Sequence, residues 1–294
     1  MIAAVSESAS SPWLDPDKIL RSAAFFVGAI LIVAGAKWVR EQLAARRGHR
    51  LAVLVADKDN VAVAVEMASF VLAMVVGIVG SIFFVTETWW EQALELVGTG
   101  VIVLVALLVN DQLTSRIVLR GIDPNHETAE NANLAVAIVR GASNVATAFP
   151  LGAALFHPSP LGERIVWALI GQVALVGMSL GYQALTRYDD IAEVKQKNVA
   201  AALPMAGILV AVGLVVAAGL RGDGSGWGAD LASLGIDLVA SGLLVLLLRW
   251  AGDKLLLPGS TFHEEIARDK NAGAGFIEAM SYVAGAVAVA YFLN

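Results

Sequence analysis

Charged side chains inside apolar segments are the residues of this chain best placed to do chemistry. Arg140 and Glu278 each lie seven positions after an asparagine that opens a hydrophobic segment, Asn133 and Asn271 respectively. Seven residues of α-helix rise about 10 Å, so both charges are predicted to lie well inside their segments. Glu66 lies one position out of this register in another such segment. A charge in an apolar environment is costly, so it generally faces another charge, a water-filled cavity or the protein interior.

Two interpretations of these charges stay open from the sequence. In the functional one, Arg140 and its partner, either Glu278 or Glu66, form a polar site on a permeation or proton pathway, and an unpaired glutamate exchanges protons. In the structural one, a buried pair fixes the register of two helices, or Arg140 extends its guanidinium to the interface. Asn144, Gln172 and Asp237 are further intramembrane polar candidates, and hydrogen bonding between helices is the alternative explanation for them.

The asparagines that open hydrophobic segments recur with a fixed spacing. They are Asn60, Asn133, Asn198 and Asn271, and the step from the first to the third equals the step from the second to the fourth. This step, which we call the repeat offset, predicts two copies of one unit, each built from two helical hairpins. An asparagine at this position caps the first turn of a helix. The alternative interpretation is that the asparagines surround a common entrance.

The elements that must position these residues are transmembrane helices. Of the residues, 57% are hydrophobic and only 16% are charged, which is too apolar for an ordinary soluble protein. A helix needs about 20 residues to cross the hydrocarbon core. We predict eight such spans near residues 19–39, 61–85, 93–110, 141–162, 165–186, 199–220, 231–248 and 272–293.

The predicted fold is therefore all-α, an integral membrane protein with two parallel four-helix repeats. An even number of spans in each unit gives both copies the same orientation in the membrane. We expect a polar N-terminal tail over 1–17, a first repeat over 18–156 and a second repeat over 163–294. The even-numbered spans are rich in Ala and Gly, which favours close packing at the centre, with the odd-numbered spans towards lipid. The alternative explanation is that the Ala and Gly content reflects the composition of the genome.

The distribution of basic residues predicts the orientation. Connections after the odd-numbered spans hold 15 of the 20 lysines and arginines, a bias typical of cytoplasmic loops. They are Lys37, Arg40, Arg46, Arg47, Arg50, Lys58, Arg116, Arg120, Arg187, Lys195, Lys197, Arg249, Lys254, Arg268 and Lys270. Both termini are accordingly predicted on the non-cytoplasmic side.

Two segments give the chain a resemblance to a known family. Residues 188–207 are YDDIAEVKQKNVAAALPMAG, and residues 263–275 are HEEIARDKNAGAG. Each has an acidic pair, an isoleucine and then an asparagine that opens a small-residue helix. In this pattern the chain resembles the bacterial YjfL-type membrane proteins, a family defined by a domain of unknown function, in two tandem copies. The second hairpin has a looser version at Asp123–Glu127, and the first departs most, with only Asp57 and Asp59 before Asn60.

The resemblance implies a multi-pass protein of the bacterial inner membrane, in a family sometimes encoded near membrane-stress or polyamine-related genes and without an established reaction. We therefore hypothesise a channel or transporter for a small cation, proton or polyamine, with Glu66, Arg140 and Glu278 on its route. The alternative is a structural or stress-associated protein that acts through helix packing and partner binding. Small-residue faces are also compatible with a homo-oligomer in the lipid bilayer.

Other functions are not expected from these residues. Cysteine is absent, and the four histidines are dispersed over loops without zinc-site spacing: His49, His126, His157 and His263. No phosphate loop, nucleophile elbow or zinc-protease motif occurs, and no basic patch suggests nucleic acid. We expect no enzyme activity, no cofactor and no metal.

Overall fold

The computed structural model describes residues 16–83, 88–156, 160–186, 189–220, 226–255 and 259–292, so most of the predicted tail over 1–17 lies outside the described residues. All regular structure in these ranges is helical. The helices are α1 (Pro16–Ala45), α2 (Leu51–Ala56), α3 (Val61–Phe83), α4 (Trp89–Leu113), α5 (Pro124–Ala129), α6 (Leu134–Phe156), α7 (Leu161–Leu185), α8 (Asp190–Lys195), α9 (Val199–Gly219), α10 (Trp227–Leu255) and α11 (Ala272–Phe292). Single π-helical turns follow α4 at Thr114–Val118 and precede α11 at Glu264–Arg268.

Eight of these helices are long and apolar enough to cross a membrane, which confirms the predicted all-α fold of eight spans. Helices α1 to α6 form the first unit, and α7 to α11 form the second. The short helices α2, α5 and α8 lie in the connections that precede α3, α6 and α9. Each unit thus consists of two helical hairpins, as the repeated asparagines predict.

Four spans form the centre of the protein. The most extensive contacts join α3 to α6, α6 to α9, and α9 to α11, so these four inner helices form one row. The outer helices α1, α4, α7 and α10 pack on the sides of this row and expose most of their apolar side chains. Because the even-numbered spans carry the small residues, this arrangement confirms that the small-residue helices pack centrally.

Each inner helix begins with the same backbone feature. The residue before each repeated asparagine has a positive φ: Asp59 (50°), Ala132 (48°), Lys197 (64°) and Lys270 (52°). The asparagine Oδ1 then accepts a hydrogen bond from a backbone N–H of the first turn, for example from Val136 at 3.2 Å in α6. Residues other than glycine adopt a positive φ at a cost, so this turn is a specified element of the repeat.

Three of the repeated asparagines also join neighbouring hairpins. The Asn60 side-chain amide donates to the Thr128 carbonyl at 2.9 Å, Asn133 donates to Val194 at 3.1 Å, and Asn198 donates to Ile266 at 2.9 Å. Each amide therefore reaches the connection that precedes the next inner helix. All the repeated asparagines lie at the same end of the helices, which we call the Asn end.

Glycines allow the inner helices to approach closely. A Cβ atom added to Gly207 of α9 would lie 2.6 Å from the Ala279 Cα of α11. One repeat offset earlier, the equivalent pair in the first unit is Ser69 of α3 and Gly141 of α6, and these two residues are also in contact. The α3–α6 and α9–α11 junctions are therefore two copies of one interface.

Candidate functional site

The first unit contains a buried network of four charged groups near the Asn end. Arg140 of α6 forms an ion pair with Glu66 of α3 and donates from Nε to Asp111 Oδ1 of α4 at 3.1 Å. Arg40 of α1 donates from Nη2 to Glu66 Oε1 at 3.1 Å. Every member of this network is buried. Two guanidinium groups and two carboxylates thus compensate one another where four helices meet.

A cavity of about 140 Å³ lies against this network. Its inner wall includes Glu66, Asp111 and Arg140, and its lining also includes the exposed Arg47 and the half-buried His49 at the Asn end. A water molecule occupies about 30 Å³ in the liquid, so the cavity has room for several waters or a small solute. The buried charges are therefore within reach of solvent from that end.

Arg140 is held by both a deep and a shallow contact. Its Nη1 donates at 3.1 Å to Asn125 Oδ1 on α5, in the connection before α6. The guanidinium therefore extends towards the Asn end, as the interfacial interpretation predicts. It binds Glu66 and Asp111 from the same position, so the interfacial and ion-pair interpretations hold together.

A line of polar side chains continues from the network into the span. Asn110 of α4 donates to Asn144 Oδ1 at 3.0 Å and to Ser143 Oγ at 3.2 Å, and it accepts from Gln172 Nε2 of α7 at 3.2 Å. Gln172 Oε1 in turn accepts from Thr147 Oγ1 at 3.0 Å. The rise of α6 from its first turn to Thr147 is about 20 Å, which is most of the hydrocarbon thickness of about 30 Å.

The second unit contains a salt bridge of its own at the equivalent place. Arg249 Nε of α10 lies 3.6 Å from Glu278 Oε1 of α11, and Tyr282 donates its hydroxyl to the same carboxylate. The repeat offset aligns Arg249 with Asp111, and it aligns Glu278 with Arg140. Each unit therefore has a salt bridge at this place. The acidic residue is on the outer helix in the first unit and on the inner helix in the second.

The second unit does not repeat the polar line. Positions equivalent to Asn110, Asn144 and Thr147 hold Leu248, Tyr282 and Gly285. Leucine side chains fill the space beside this glycine, where an added Cβ would lie 3.1 Å from Leu244 Cδ2. Positions equivalent to Arg40 and Glu66 hold Met178 and Pro204. The four-charge network is therefore a feature of the first unit, and so is the polar line, except that Gln172 of α7 joins it from the second unit.

The residues predicted from the sequence divide between these places. Of the two partners considered for Arg140, Glu66 contacts it, whereas Glu278 pairs with Arg249. The predicted approach of Arg140 to Glu278 is wrong, because α9 lies between α6 and α11 in the row of inner helices. Asn144 belongs to the polar line, and Asp237 is buried on α10 with Oδ2 facing Gly219 of α9.

Sequence reasoning missed Arg40, Asp111 and Arg249 as site residues. All three lie near the ends of apolar segments, where a charged residue is ordinarily solvated, so hydropathy alone does not single them out. The repeat offset carried a usable signal, because it aligns Asp111 with Arg249 and Arg140 with Glu278. A pair of aligned positions with inverted charge predicts a contact shared by both units rather than two unrelated surface groups.

A further carboxyl group lies beside the second salt bridge, in the connection between α7 and α9. Asp190 is 3% exposed and accepts a hydrogen bond from Thr186, while its Oδ1 has no hydrogen-bond partner among the described residues. Burial raises the pKa of Asp190 from 3.8 to about 7, against the opposing effects of the Thr186 hydrogen bond and of Arg249. This group therefore changes its charge near neutral pH.

The architecture agrees with a comparison to known families. The model of the family described as Domain of Unknown Function (DUF350) matches twice, over residues 14–155 and 156–293. The chain belongs to this family. The predicted family resemblance in two tandem copies is thereby confirmed, and each DUF350 copy corresponds to one four-helix unit. No curated protein and no solved structure matches the chain.

Proposed function

We propose that this DUF350 protein transports a small polar solute through its first unit, with the cavity at Arg140 as the binding site. The observation that carries the proposal is the continuity of polar groups from the open cavity to Thr147. Polar side chains inside a membrane are costly, so those that occur generally join packed helices or line a solute pathway. A packing requirement common to both units would place such groups in both, whereas Leu248, Tyr282 and Gly285 occupy the matching places in the second unit.

The charge of the cavity indicates the class of solute. Its lining contains three guanidinium groups, from Arg40, Arg47 and Arg140, and two carboxylates, from Glu66 and Asp111. With His49 neutral, the formal charge of the lining is therefore +1. A net positive lining repels a polyamine or another small cation and attracts a carboxylate or phosphate group. We infer a small anion or zwitterion as the solute, in place of the cation, proton or polyamine that the sequence alone suggested.

The close packing of the inner helices supports a transporter in preference to an open pore. A Cβ atom added to Gly152 of α6 would lie 3.0 Å from the Val76 carbonyl oxygen of α3, so these helices are in backbone contact beyond the cavity. A solute held near Arg140 reaches the other face only when α3 and α6 move apart. Access would then alternate between the two ends.

The bias in basic residues supports the orientation. Fifteen of the 20 lysines and arginines lie in the connections at the Asn end or at the helix ends beside them, so we infer that this end faces the cytoplasm of a bacterial inner membrane. Both termini would then lie on the non-cytoplasmic side, and the cavity would open to the cytoplasm. Cysteines introduced at the exposed Arg47 and Trp90 would test this assignment by their labelling with a membrane-impermeant maleimide on intact cells.

A scaffold role for the charges is the second candidate function. Its support is the complete pairing of Arg140, Glu66, Asp111 and Arg40, since paired buried charges also fix the register of neighbouring helices. In this account the protein acts through partners, and the cavity holds only water.

Flux through reconstituted protein separates the two functions. Liposomes containing the purified chain would be assayed with four probes: a small dicarboxylate, a zwitterionic amino acid, a polyamine and, by a pH-sensitive dye, protons. The proposal expects uptake of the dicarboxylate or the amino acid above that of empty liposomes. It also expects at least a tenfold loss in Arg140→Gln, provided that this variant keeps the wild-type elution profile. Uptake of the polyamine alone would overturn the solute class, and uptake of none of the probes would favour the scaffold role.

A further inference from the structure

The row of inner helices is open at both ends. Three junctions of similar design join α3 to α6, α6 to α9, and α9 to α11. Helix α11 leaves one face exposed, with Phe276, Met280 and Val287 among its side chains. Helix α3 exposes Leu72, Val75 and Val79 at the opposite end of the row.

The repeat offset relates these two free faces to a junction inside the chain. At the α6–α9 junction, a Cβ added to Gly213 would lie 2.8 Å from the Ala146 Cα. The position equivalent to Ala146 is Ala284 on α11, and the position equivalent to Gly213 is Val75 on α3. Ala146 and Gly213 are buried, whereas Ala284 and Val75 are both exposed. The free faces of α11 and α3 are therefore the two halves of an interface that the chain already uses once.

The asparagine links lead to the same pair of surfaces. Asn133 is fully buried and donates to the Val194 carbonyl of α8, across the α6–α9 junction. Its equivalent Asn271 is exposed, and its amide donates to Glu265 Oε2 within its own connection at 2.9 Å. The residue equivalent to Val194 is Ala56, at the exposed end of α2. A second copy placed with its α3 against α11 would bring its Ala56 to Asn271.

We propose that copies of this chain associate head to tail in the membrane, with α11 of one copy packed on α3 of the next. The contact repeats the α6–α9 junction between molecules. Because the two surfaces differ, the interface is heterologous, and it continues until a ring closes or a linear array forms. Val75 replaces the glycine of the internal junction, so the helices are further apart between copies than within one. The assembly is independent of the proposed transport activity.

Paired cysteines test this arrangement without background, because the chain contains no cysteine. The test protein carries Val75→Cys and Ala284→Cys, and its membranes are treated with a short bifunctional maleimide. The matched control carries Val105→Cys and Leu243→Cys, two exposed positions on the outer helices that are also related by the repeat offset. The two single variants, Val75→Cys and Ala284→Cys, are tested separately.

The head-to-tail contact predicts covalent dimers and larger species from the test protein, and 30.7 kDa monomers from the control and from each single variant. A mixture of the two single variants in one membrane should give dimers as its largest product. Monomers alone from the test protein would overturn the proposal. So would dimers from Ala284→Cys alone, since they require two α11 helices to face one another.

Detergent-solubilised mass provides a second measurement. The exposed Ala284 side chain should accept a larger one without loss of the fold, and Ala284→Phe should reduce the wild-type mass to that of the monomer. A monomeric mass for the wild type in mild detergent, together with monomers alone from the paired-cysteine protein in membranes, would contradict the assembly. Equal oligomer masses for wild type and Ala284→Phe would place the interface elsewhere.

Discussion

Asp111 and Arg249 occupy the same position in the two units and carry opposite charges. Asp111 pairs with Arg140 at 3.1 Å, and Arg249 pairs with Glu278 at 3.6 Å, so in both units a salt bridge at this position joins an outer helix to an inner helix. The exchange of charges shows that the two positions require a pair of opposite charges, whichever helix carries the acidic residue. We therefore assign the contact between the two aligned side chains to the scaffold. Function is sought in what the first unit adds to it, the cavity that Arg140 lines and the Glu66–Arg40 pair beside it.

The scaffold role of the second bridge predicts strong coupling between its members. Arg249→Met leaves the Glu278 carboxylate, which is 1% exposed, without its compensating charge, and we expect a loss of about 3–5 kcal/mol in the free energy of unfolding. The double variant with Glu278→Gln should lose at least about 1 kcal/mol less than the sum of the two single changes. Unfolding in mixed micelles by a denaturing detergent would measure all three. Additive losses would show that the two side chains do not act as a pair.

Asp190 predicts a pH dependence of stability. Burial raises its pKa from 3.8 to about 7 in the folded protein. Between about pH 4 and pH 7 the Asp190 carboxyl therefore binds more protons in the folded state than in the unfolded state, and its contribution to the free energy of unfolding decreases as the pH rises. Asp190→Asn should flatten this slope, whereas Asp59→Asn, at an exposed position, should leave it unchanged. Thermal unfolding across this range would measure the slopes, and equal slopes for the wild type and Asp190→Asn would contradict the assignment.

Close packing of the inner helices predicts a large difference between two glycines. A Cβ atom added to Gly213 would lie 2.5 Å from the Ala146 carbonyl oxygen, so Gly213→Ala must push α9 away from α6. Gly177 on α7 has no neighbouring atom within 4 Å of the same position, and Gly177→Ala should stabilise the helix by up to about 1 kcal/mol. We expect a lower melting temperature for Gly213→Ala and an equal or higher one for Gly177→Ala. Equal melting temperatures for the two variants would show that α6 and α9 are not in backbone contact.

Much of the fold could be predicted because local signals repeat. The eight spans follow from apolar length, and the pairing into units follows from the constant offset between the repeated asparagines. The small residues of the even-numbered spans identified the inner helices, because backbone contact in a membrane requires them. A row of four helices did not follow, since the same pattern is equally compatible with a closed arrangement around an axis.

The partner of Arg140 depends on whether the inner helices form a row or surround an axis. A pseudo-twofold axis would have brought it towards Glu278, whereas the row separates α6 from α11 by α9. Glu66 lies on the neighbouring inner helix and therefore became its partner. Asn144 and Gln172 were separate candidates in the sequence, but the line that joins them through Asn110 did not follow, because it depends on which helix faces meet.

Initial uptake by Asn110→Leu, compared with Glu278→Gln, tests the assignment of transport to the first unit most directly. Asn110 is the centre of the polar line, and leucine is the residue that the second unit holds at the equivalent position, Leu248. The account predicts at least a tenfold lower rate for Asn110→Leu and a nearly wild-type rate for Glu278→Gln, with both proteins folded in the same liposomes. Wild-type uptake by Asn110→Leu together with loss of uptake in Glu278→Gln would contradict it.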